Sequence, residues 1–190
     1  MRAGGRTRVV VALFTALVPL SACADDGGPV AIGAPLPDYA AVSLGGETVA
    51  LREFRGDALL LNIWASWCPA CEREMPSLQA LHEELGPRGL RVVGVSVDPP
   101  GSEMRVREFL EKYGISYMIL YDPRDRVSKH FRIIGIPTTY LANRRGIVRE
   151  VWIGEKDFGA QPIKAALDRA LADERGAKER ERGNDRDAGP

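Results

Sequence analysis

The apolar positions of the chain first define a strand that leads directly into a helix. Residues 59–64, Leu-Leu-Leu-Asn-Ile-Trp, form a short apolar run typical of a strand that is buried on both faces. Residues 69–85 then carry leucines at helical spacing, with charged residues between them. Pro76 lies inside this predicted helix and is expected to kink it.

The remaining apolar patterns predict further strands and helices on both sides of this pair. A hairpin is expected within residues 38–56, around Gly45-Gly46. Gly114 is expected to end the second helix. The elements predicted downstream are a strand over 90–97, a helix over 103–113, a strand over 116–121, a short helix over 125–131, an antiparallel pair over 138–142 and 147–152, and an amphipathic helix over 161–171.

The first 23 residues have the pattern of an export signal. Three arginines precede an apolar stretch of about a dozen residues, which is shorter than the roughly 20 residues of a membrane-spanning helix. Leu20-Ser21-Ala22-Cys23 resembles a bacterial lipobox, in which the cysteine becomes the lipidated first residue. Ordinary cleavage at Ala22-Cys23-Ala24 is the alternative. In either case Cys23 is not available for redox chemistry, and lipidation would attach the protein stably to a membrane.

Composition separates one folded domain from two polar ends. The 190 residues are 45% hydrophobic and 27% charged, which suits a single domain with tails. Residues 24–36 are expected to be a flexible tether, and residues 37–172 to be the folded domain. Residues 173–190 are almost entirely charged or small, so we expect a disordered tail.

Charge and residue counts disfavour several classes of function. The formal net charge is +0, so no nucleic-acid partner is expected. Three cysteines are too few for a disulfide-stapled scaffold. There is no second C-x-x-C, and the two histidines are expected at the surface, with His82 on the solvent face of the first helix and His130 exposed. A structural zinc site is therefore disfavoured.

Cys68 and Cys71 are the residues most able to perform chemistry. They follow the apolar strand, and Cys68 stands at the N-terminus of the predicted helix, where unpaired N–H groups and the helix dipole favour a thiolate. A free cysteine has a pKa near 8.5, so about 3% is thiolate at pH 7; a pKa of about 7 raises that to about half. Cys71, one turn later and expected to be buried, suits the role of resolving thiol.

The motif around these cysteines resembles the thioredoxin superfamily, and within it the TlpA/ResA-like branch of exported thiol–disulfide oxidoreductases. The resemblance is carried by residues 62–71, Asn-Ile-Trp-Ala-Ser-Trp-Cys-Pro-Ala-Cys, by Pro76, and by Gly135-Ile136-Pro137-Thr138-Thr139. It covers roughly residues 33–172. It implies an α/β, thioredoxin-like fold with a central mixed sheet flanked by helices, an N-terminal β-hairpin and a helix–strand insertion.

The resemblance also assigns roles to residues near the cysteines. Thioredoxin has a buried Asp six residues before its first cysteine, whereas here Asn62 cannot titrate. The TlpA/ResA-like branch carries a carboxylate after the second cysteine instead. Glu74 lies one helical turn past Cys71, so a raised pKa would let it exchange protons with that thiol. Glu72 is expected to point outward.

The second part of the expected site is the loop that contains Pro137. The resemblance implies a cis bond between Ile136 and Pro137, which would present the Ile136 backbone to an extended client segment. Trp67 is expected to pack and also to line the contact surface. Thr138 departs from the haem-maturation relatives, which often carry an acidic residue there.

The expected function is thiol–disulfide exchange with protein substrates outside the cytoplasm. The resemblance implies protein disulfides or thiols as substrates and a membrane electron donor, with no cofactor beyond the Cys68–Cys71 pair and no metal. We expect a monomer that is held by lipid at Cys23 on the outer face of the bacterial cytoplasmic membrane, or located in the periplasm. Reduction of disulfides, for example in cytochrome c maturation, is favoured over oxidation of client thiols by the same residues.

Two other functions use related folds. A peroxiredoxin-like peroxidase would place Thr three residues before the reactive cysteine, where this chain has Ala65. A copper carrier for oxidase assembly would separate its cysteines by three residues and add a histidine ligand. Here two residues separate Cys68 from Cys71, and His130 is a poor candidate for the ligand.

Overall fold

The computed structural model describes residues 30–173, which form one seven-stranded mixed sheet with helices on both faces. The strands lie in the order β2-β1-β5-β4-β3-β6-β7. Their bounds are β1 Ala40–Ser43, β2 Thr48–Ala50, β3 Ala58–Trp64, β4 Leu90–Ser96, β5 Met118–Tyr121, β6 Thr138–Ala142 and β7 Val148–Ile153. The helices are α1 Pro69–Leu85, α2 Glu103–Lys112, α3 Arg126–Phe131 and α4 Gln161–Ala172.

The central strand β3 is buried along its whole length, as its apolar sequence predicts. It pairs in parallel with β4 and antiparallel with β6. On one face, Leu60 and Trp64 pack in the cluster that contains α1, α2 and α4. On the other face, Leu61 and Ile63 pack with α3 and the N-terminal hairpin. Burial on both faces holds the carboxyl end of β3, where α1 begins, in a defined place.

The elements predicted from the hydrophobic pattern are confirmed, with boundary differences of one or two residues. The hairpin β1–β2, the strand β3 and the helix α1 lie where they are expected. The helix–strand insertion is α2 followed by β5, and β5 joins the sheet between β4 and β1. Gly114, with φ +62°, follows the end of α2 as a left-handed residue.

The two ends of the described segment are more ordered than the sequence predicts. The tether expected over residues 24–36 does not extend to residue 36, because residues 33–36 hydrogen-bond to residues 146–148 beside β7. Asp173, assigned to the tail, accepts hydrogen bonds from Asn143 and Arg149. The export signal, Cys23 and residues 174–190 lie outside the described residues. Within residues 30–173, no helix is both long and apolar enough to cross a bilayer.

Gly94 on β4 gives a direct test of the packing beneath Trp64. A Cβ at Gly94 would lie 2.7 Å from Ile119 Cδ1 and 2.9 Å from Trp64 Nε1, and Trp64 is fully buried. Gly94→Ala is therefore expected to lower the free energy of unfolding by about 1–3 kcal/mol, measured by chemical denaturation. Gly86→Ala is the control, because Gly86 has right-handed helical geometry and open space around a Cβ. Equal effects of the two substitutions would contradict this packing argument.

Candidate active site

Cys68 and Cys71 form a disulfide at the point where β3 passes into α1. Their Cα atoms are 5.2 Å apart. Cys68 is the N-cap of α1, and its Sγ accepts a hydrogen bond of 3.2 Å from the Cys71 backbone N–H. Pro69 occupies the first turn, where its missing N–H leaves no bond unmade. This geometry directs a backbone N–H and the positive end of the helix dipole at the Cys68 sulfur.

The two sulfur-bearing residues differ in access to solvent. Cys68 retains 5% of its surface, whereas Cys71 is completely buried. Cys68 is therefore the more accessible residue of the disulfide. The neighbouring residue Trp67 projects outward with 57% of its surface exposed.

The loop before β6 lies against Cys68 although it is distant in sequence. The Ile136–Pro137 bond is cis. The Ile136 carbonyl oxygen lies 4.0 Å from Cys68 Sγ, and Thr138 Oγ1 donates to the Gly135 carbonyl at 2.7 Å. The Gly154 N–H donates to the Pro137 carbonyl at 2.8 Å and so joins the loop to the end of β7.

Exposed apolar side chains surround this junction. Ile134 in the loop and Ile153 at the end of β7 are both more than half exposed, as is Trp67. Gly154, which follows Ile153, is hydrogen-bonded to Pro137. Trp67 precedes Cys68 and Ile153 pairs in register with Thr138, so these exposed side chains belong to segments that meet near the sulfur.

Glu74 is buried beside the redox helix. Only 2% of its surface is exposed. Its Oε1 accepts from Asn62 Nδ2 at 2.7 Å, and its Oε2 accepts from the Lys156 backbone N–H at 3.2 Å. Burial outweighs these two hydrogen bonds and raises the pKa of Glu74 to about 7. A carboxyl group with this pKa can both release and accept a proton near neutral pH.

Glu72 differs from Glu74 in its burial, its hydrogen-bond partners and the direction of its pKa shift, and it points outward as predicted. It pairs with Lys112 and accepts a hydrogen bond from the Tyr113 hydroxyl. The Tyr113 hydrogen bond, with the charge of Lys112, lowers the pKa of Glu72. Among the described contacts, Glu74 has no hydrogen bond to Cys71 in this disulfide form. Its two polar partners are Asn62 and Lys156.

The histidines do not form a metal site in the described part of the chain. Among residues 30–173, no three His, Cys, Asp or Glu side chains group closely enough to hold a metal ion. His130 is exposed, as expected. The prediction for His82 is wrong: its ring is half-buried and packs against Tyr117, with centroids 6.1 Å apart. The tyrosine comes from the segment between α2 and β5, which covers that side of α1.

Asp98 is a site residue that the sequence analysis missed. It follows β4, is fully buried, and accepts hydrogen bonds from the Ser66 side chain at 2.6 Å and the Ser66 N–H at 2.9 Å. The parallel pairing of β3 with β4 would have indicated that Asp98 lies beside Ser66. β3 and β4 are parallel neighbours, so residues just beyond their carboxyl ends meet at one edge of the sheet.

A sheet of this topology, with a disulfide at the first turn of a helix and a cis-proline loop beside it, defines a thiol–disulfide oxidoreductase with a thioredoxin-like fold. Comparison with known proteins agrees. The sequence matches the AhpC/TSA family over residues 32–151, and the chain belongs to that family.

The similar proteins are thiol–disulfide oxidoreductases and thioredoxin-like proteins. ResA of Geobacillus kaustophilus is 33% identical over 125 residues, which are 66% of this chain and 71% of the relative. Thioredoxin-like protein YneN of Bacillus subtilis is 32% identical over 137 residues, 72% and 79% of the two chains. A DsbE-type thiol:disulfide interchange protein of Chlorobium tepidum shares the fold, with a TM-score of 0.68 and 24% identity over 75% and 99% of the two chains. These findings confirm the predicted thioredoxin-like fold and the enzyme class.

The burial of Glu74 predicts a pH-dependent stability. Its pKa is about 7 in the folded protein and 4.5 for a fully solvated glutamate side chain, so the folded state binds more proton between those values. The stabilisation is complete below pH 4.5 and is lost as pH rises through 7. At about 1.4 kcal/mol per pH unit, it amounts to about 3 kcal/mol. Urea unfolding of the oxidised protein should show this decline.

Glu74→Gln is the matched variant, because the amide has the same shape and does not titrate. The unfolding free energy of the wild type minus that of Glu74→Gln should fall steadily, by about 3 kcal/mol, from about pH 4.5 to about pH 7.5. A difference that stays constant across this range would show that Glu74 titrates normally in the folded protein. Glu72→Gln, which changes a partly exposed carboxylate on the same turn, controls for the general loss of one charge.

Proposed function

We propose that this enzyme reduces disulfides in proteins outside the cytoplasm, with Cys68 as the attacking thiol and Cys71 as the resolving thiol. The observation that carries the proposal is the position of the Cys68 sulfur. It caps α1, belongs to the more accessible cysteine of the pair, and faces the Ile136 carbonyl. A thiolate there is favoured by the helix and is next to the backbone that a client strand would use.

The exchange proceeds in two balanced steps. The Cys68 thiolate attacks one sulfur of the client disulfide, which forms a mixed disulfide and releases the other client sulfur as a thiolate. Cys71 then loses its proton and attacks the Cys68 sulfur, which closes the Cys68–Cys71 disulfide and releases the second client thiolate. Two electrons pass to the client, and a membrane electron donor must reduce the enzyme again because the outer compartment is oxidising.

Glu74 is proposed to accept the proton that Cys71 loses in the second step. Cys71 is completely buried, so water cannot take that proton directly. Glu74 lies one turn along the same helix, and its pKa of about 7 suits transfer at neutral pH. Its bond to Asn62 holds the carboxyl group on the α1 face of β3.

The client is proposed to bind as an extended segment beside the cis-proline loop. The Ile136 backbone would pair with it, while Trp67 and nearby exposed apolar side chains cover residues around the client cysteine. Protein disulfides are the substrate class, and apocytochrome c is one candidate. The name of the ResA relative supports the chemistry and leaves the identity of the client to experiment.

Trapping of mixed disulfides tests the assignment of the two cysteines. Cys71→Ser removes the resolving thiol, so the variant should accumulate covalent adducts through Cys68 in cells, visible on non-reducing gels and identified by mass. Cys68→Ser should form none, because Cys71 is buried. Both variants should fall to background in a disulfide reduction assay. Adducts with Cys68→Ser, or none with Cys71→Ser, would overturn the assignment.

We also propose that Cys23 is lipidated and anchors the enzyme on the outer face of the cytoplasmic membrane. The Leu20-Ser21-Ala22-Cys23 motif supports this. In membrane fractionation, Cys23→Ala should move most of the protein from the membrane fraction to the soluble fraction, because stable attachment needs the acyl chains. Ser21→Ala, one change within the same motif that retains the cysteine, is the control. An unchanged distribution of Cys23→Ala would contradict the lipid anchor.

A further inference from the structure

Asp98 is a second buried carboxyl residue at the redox site, and no step of the proposed exchange uses it. None of its surface is exposed. Its Oδ1 accepts from the Ser66 hydroxyl at 2.6 Å, and its Oδ2 accepts from the Ser66 N–H at 2.9 Å and the Ser96 hydroxyl at 2.8 Å. Burial of a carboxyl group is costly unless its oxygens are hydrogen-bonded, so these three donors must stay in place.

The two hydrogen bonds from Ser66 to Asp98 hold the turn that connects β3 to Cys68. Ser66 stands two residues before the sulfur, and Trp67 lies between them. The Cys68 N–H donates to the Ala65 carbonyl at 3.1 Å, and the Val97 N–H donates to the Trp64 carbonyl at 2.9 Å. The sheet therefore holds the start of the turn. Asp98 holds its middle, because both donors of Ser66 bind the two oxygens of one carboxyl group.

We propose that Asp98 is a positioning residue of the redox site, which acts through Ser66 to hold Cys68 at the N-terminus of α1 and Trp67 at the client surface. This inference rests on the proposed role of Cys68 as the attacking thiol. Among the described hydrogen bonds, none joins Asp98 to either cysteine, so its effect is transmitted by the turn.

The position of Cys68 has a measurable chemical consequence. Its sulfur accepts from the Cys71 N–H at 3.2 Å, and this contact stabilises a thiolate only while the sulfur stays at the helix end. A turn without its bonds to Asp98 would let the sulfur leave that position. Cys68 would then become reactive only at higher pH. A direct effect of the negative charge on Asp98 has the opposite sign, since removal of that charge would favour the thiolate and lower the reactive pH.

The test measures alkylation of Cys68 in the reduced full-length protein across a pH series, with mass mapping to identify the modified cysteine. Asp98→Asn is expected to move the midpoint of Cys68 alkylation to higher pH. It is also expected to slow disulfide reduction at neutral pH on the order of tenfold, because small displacements of a reacting group cost large factors in rate.

Asp122→Asn is the matched control. Asp122 is also buried, follows the neighbouring strand β5, and accepts hydrogen bonds from Tyr39 and the Val127 N–H. Its hydrogen bonds in the described part of the chain do not reach the turn before Cys68. This variant should lower stability without moving the alkylation midpoint. A shift of the same size in both variants would show a general loss of folding and would overturn the positioning role.

Two substitutions at Ser66 keep the inference testable if Asp98→Asn does not fold. Ser66→Ala keeps the carboxyl group and removes one donor, and it should shift the midpoint upward by less than Asp98→Asn. Ser66→Thr retains both donors and should behave as the wild type. An unchanged or lowered midpoint in both Asp98→Asn and Ser66→Ala would overturn the inference. If wild-type Cys68 reacts only at the pH of an unstructured peptide, the proposed function itself fails.

Discussion

The junction between β3 and α1 is the constraint on which the rest of the structure depends. β3 is buried on both faces and paired on both edges, so its carboxyl end cannot move without disrupting the sheet. α1 begins shortly after Trp64, and the N–H of its first turn reaches the Cys68 sulfur. In the proposed exchange the reactivity of that sulfur depends on this backbone geometry, and the strand provides the rigidity that the geometry needs.

The strands and helices follow from the sequence because each element has a pattern of its own. The apolar run of β3, the leucines of α1 and the valines of β4 specify burial locally, and the structure contains all three. The cysteines could be placed at a helix N-terminus for the same reason. The motif around them, and not periodicity, was what implied the cis bond before Pro137.

The features that the sequence did not predict all depend on contacts between distant segments. Residues 33–36 look like a tether in composition, yet their backbone groups bond to residues 146–148. His82 is followed in sequence by two glutamates, but the segment before β5 brings Tyr117 against its ring. In sequence, Asp98 is only a polar residue that follows a strand. The parallel pairing of β3 and β4 places it beside Ser66. No local pattern contains this information.

The two buried carboxyl groups near the disulfide illustrate how hydrogen bonding divides structural from chemical roles. Asp98 accepts three hydrogen bonds, two from Ser66 in the turn before Cys68 and one from Ser96 at the end of β4. Glu74 accepts one from an amide side chain and one from a loop N–H, which do not offset its burial, and its pKa rises to about 7. A carboxyl group that is held by several donors serves best as an anchor. One that is held by few, beside a buried thiol, can give and take a proton. In the proposed mechanism the same functional group thus has two roles near the disulfide, and the number of hydrogen-bond donors distinguishes the positioning role of Asp98 from the proton transfer by Glu74.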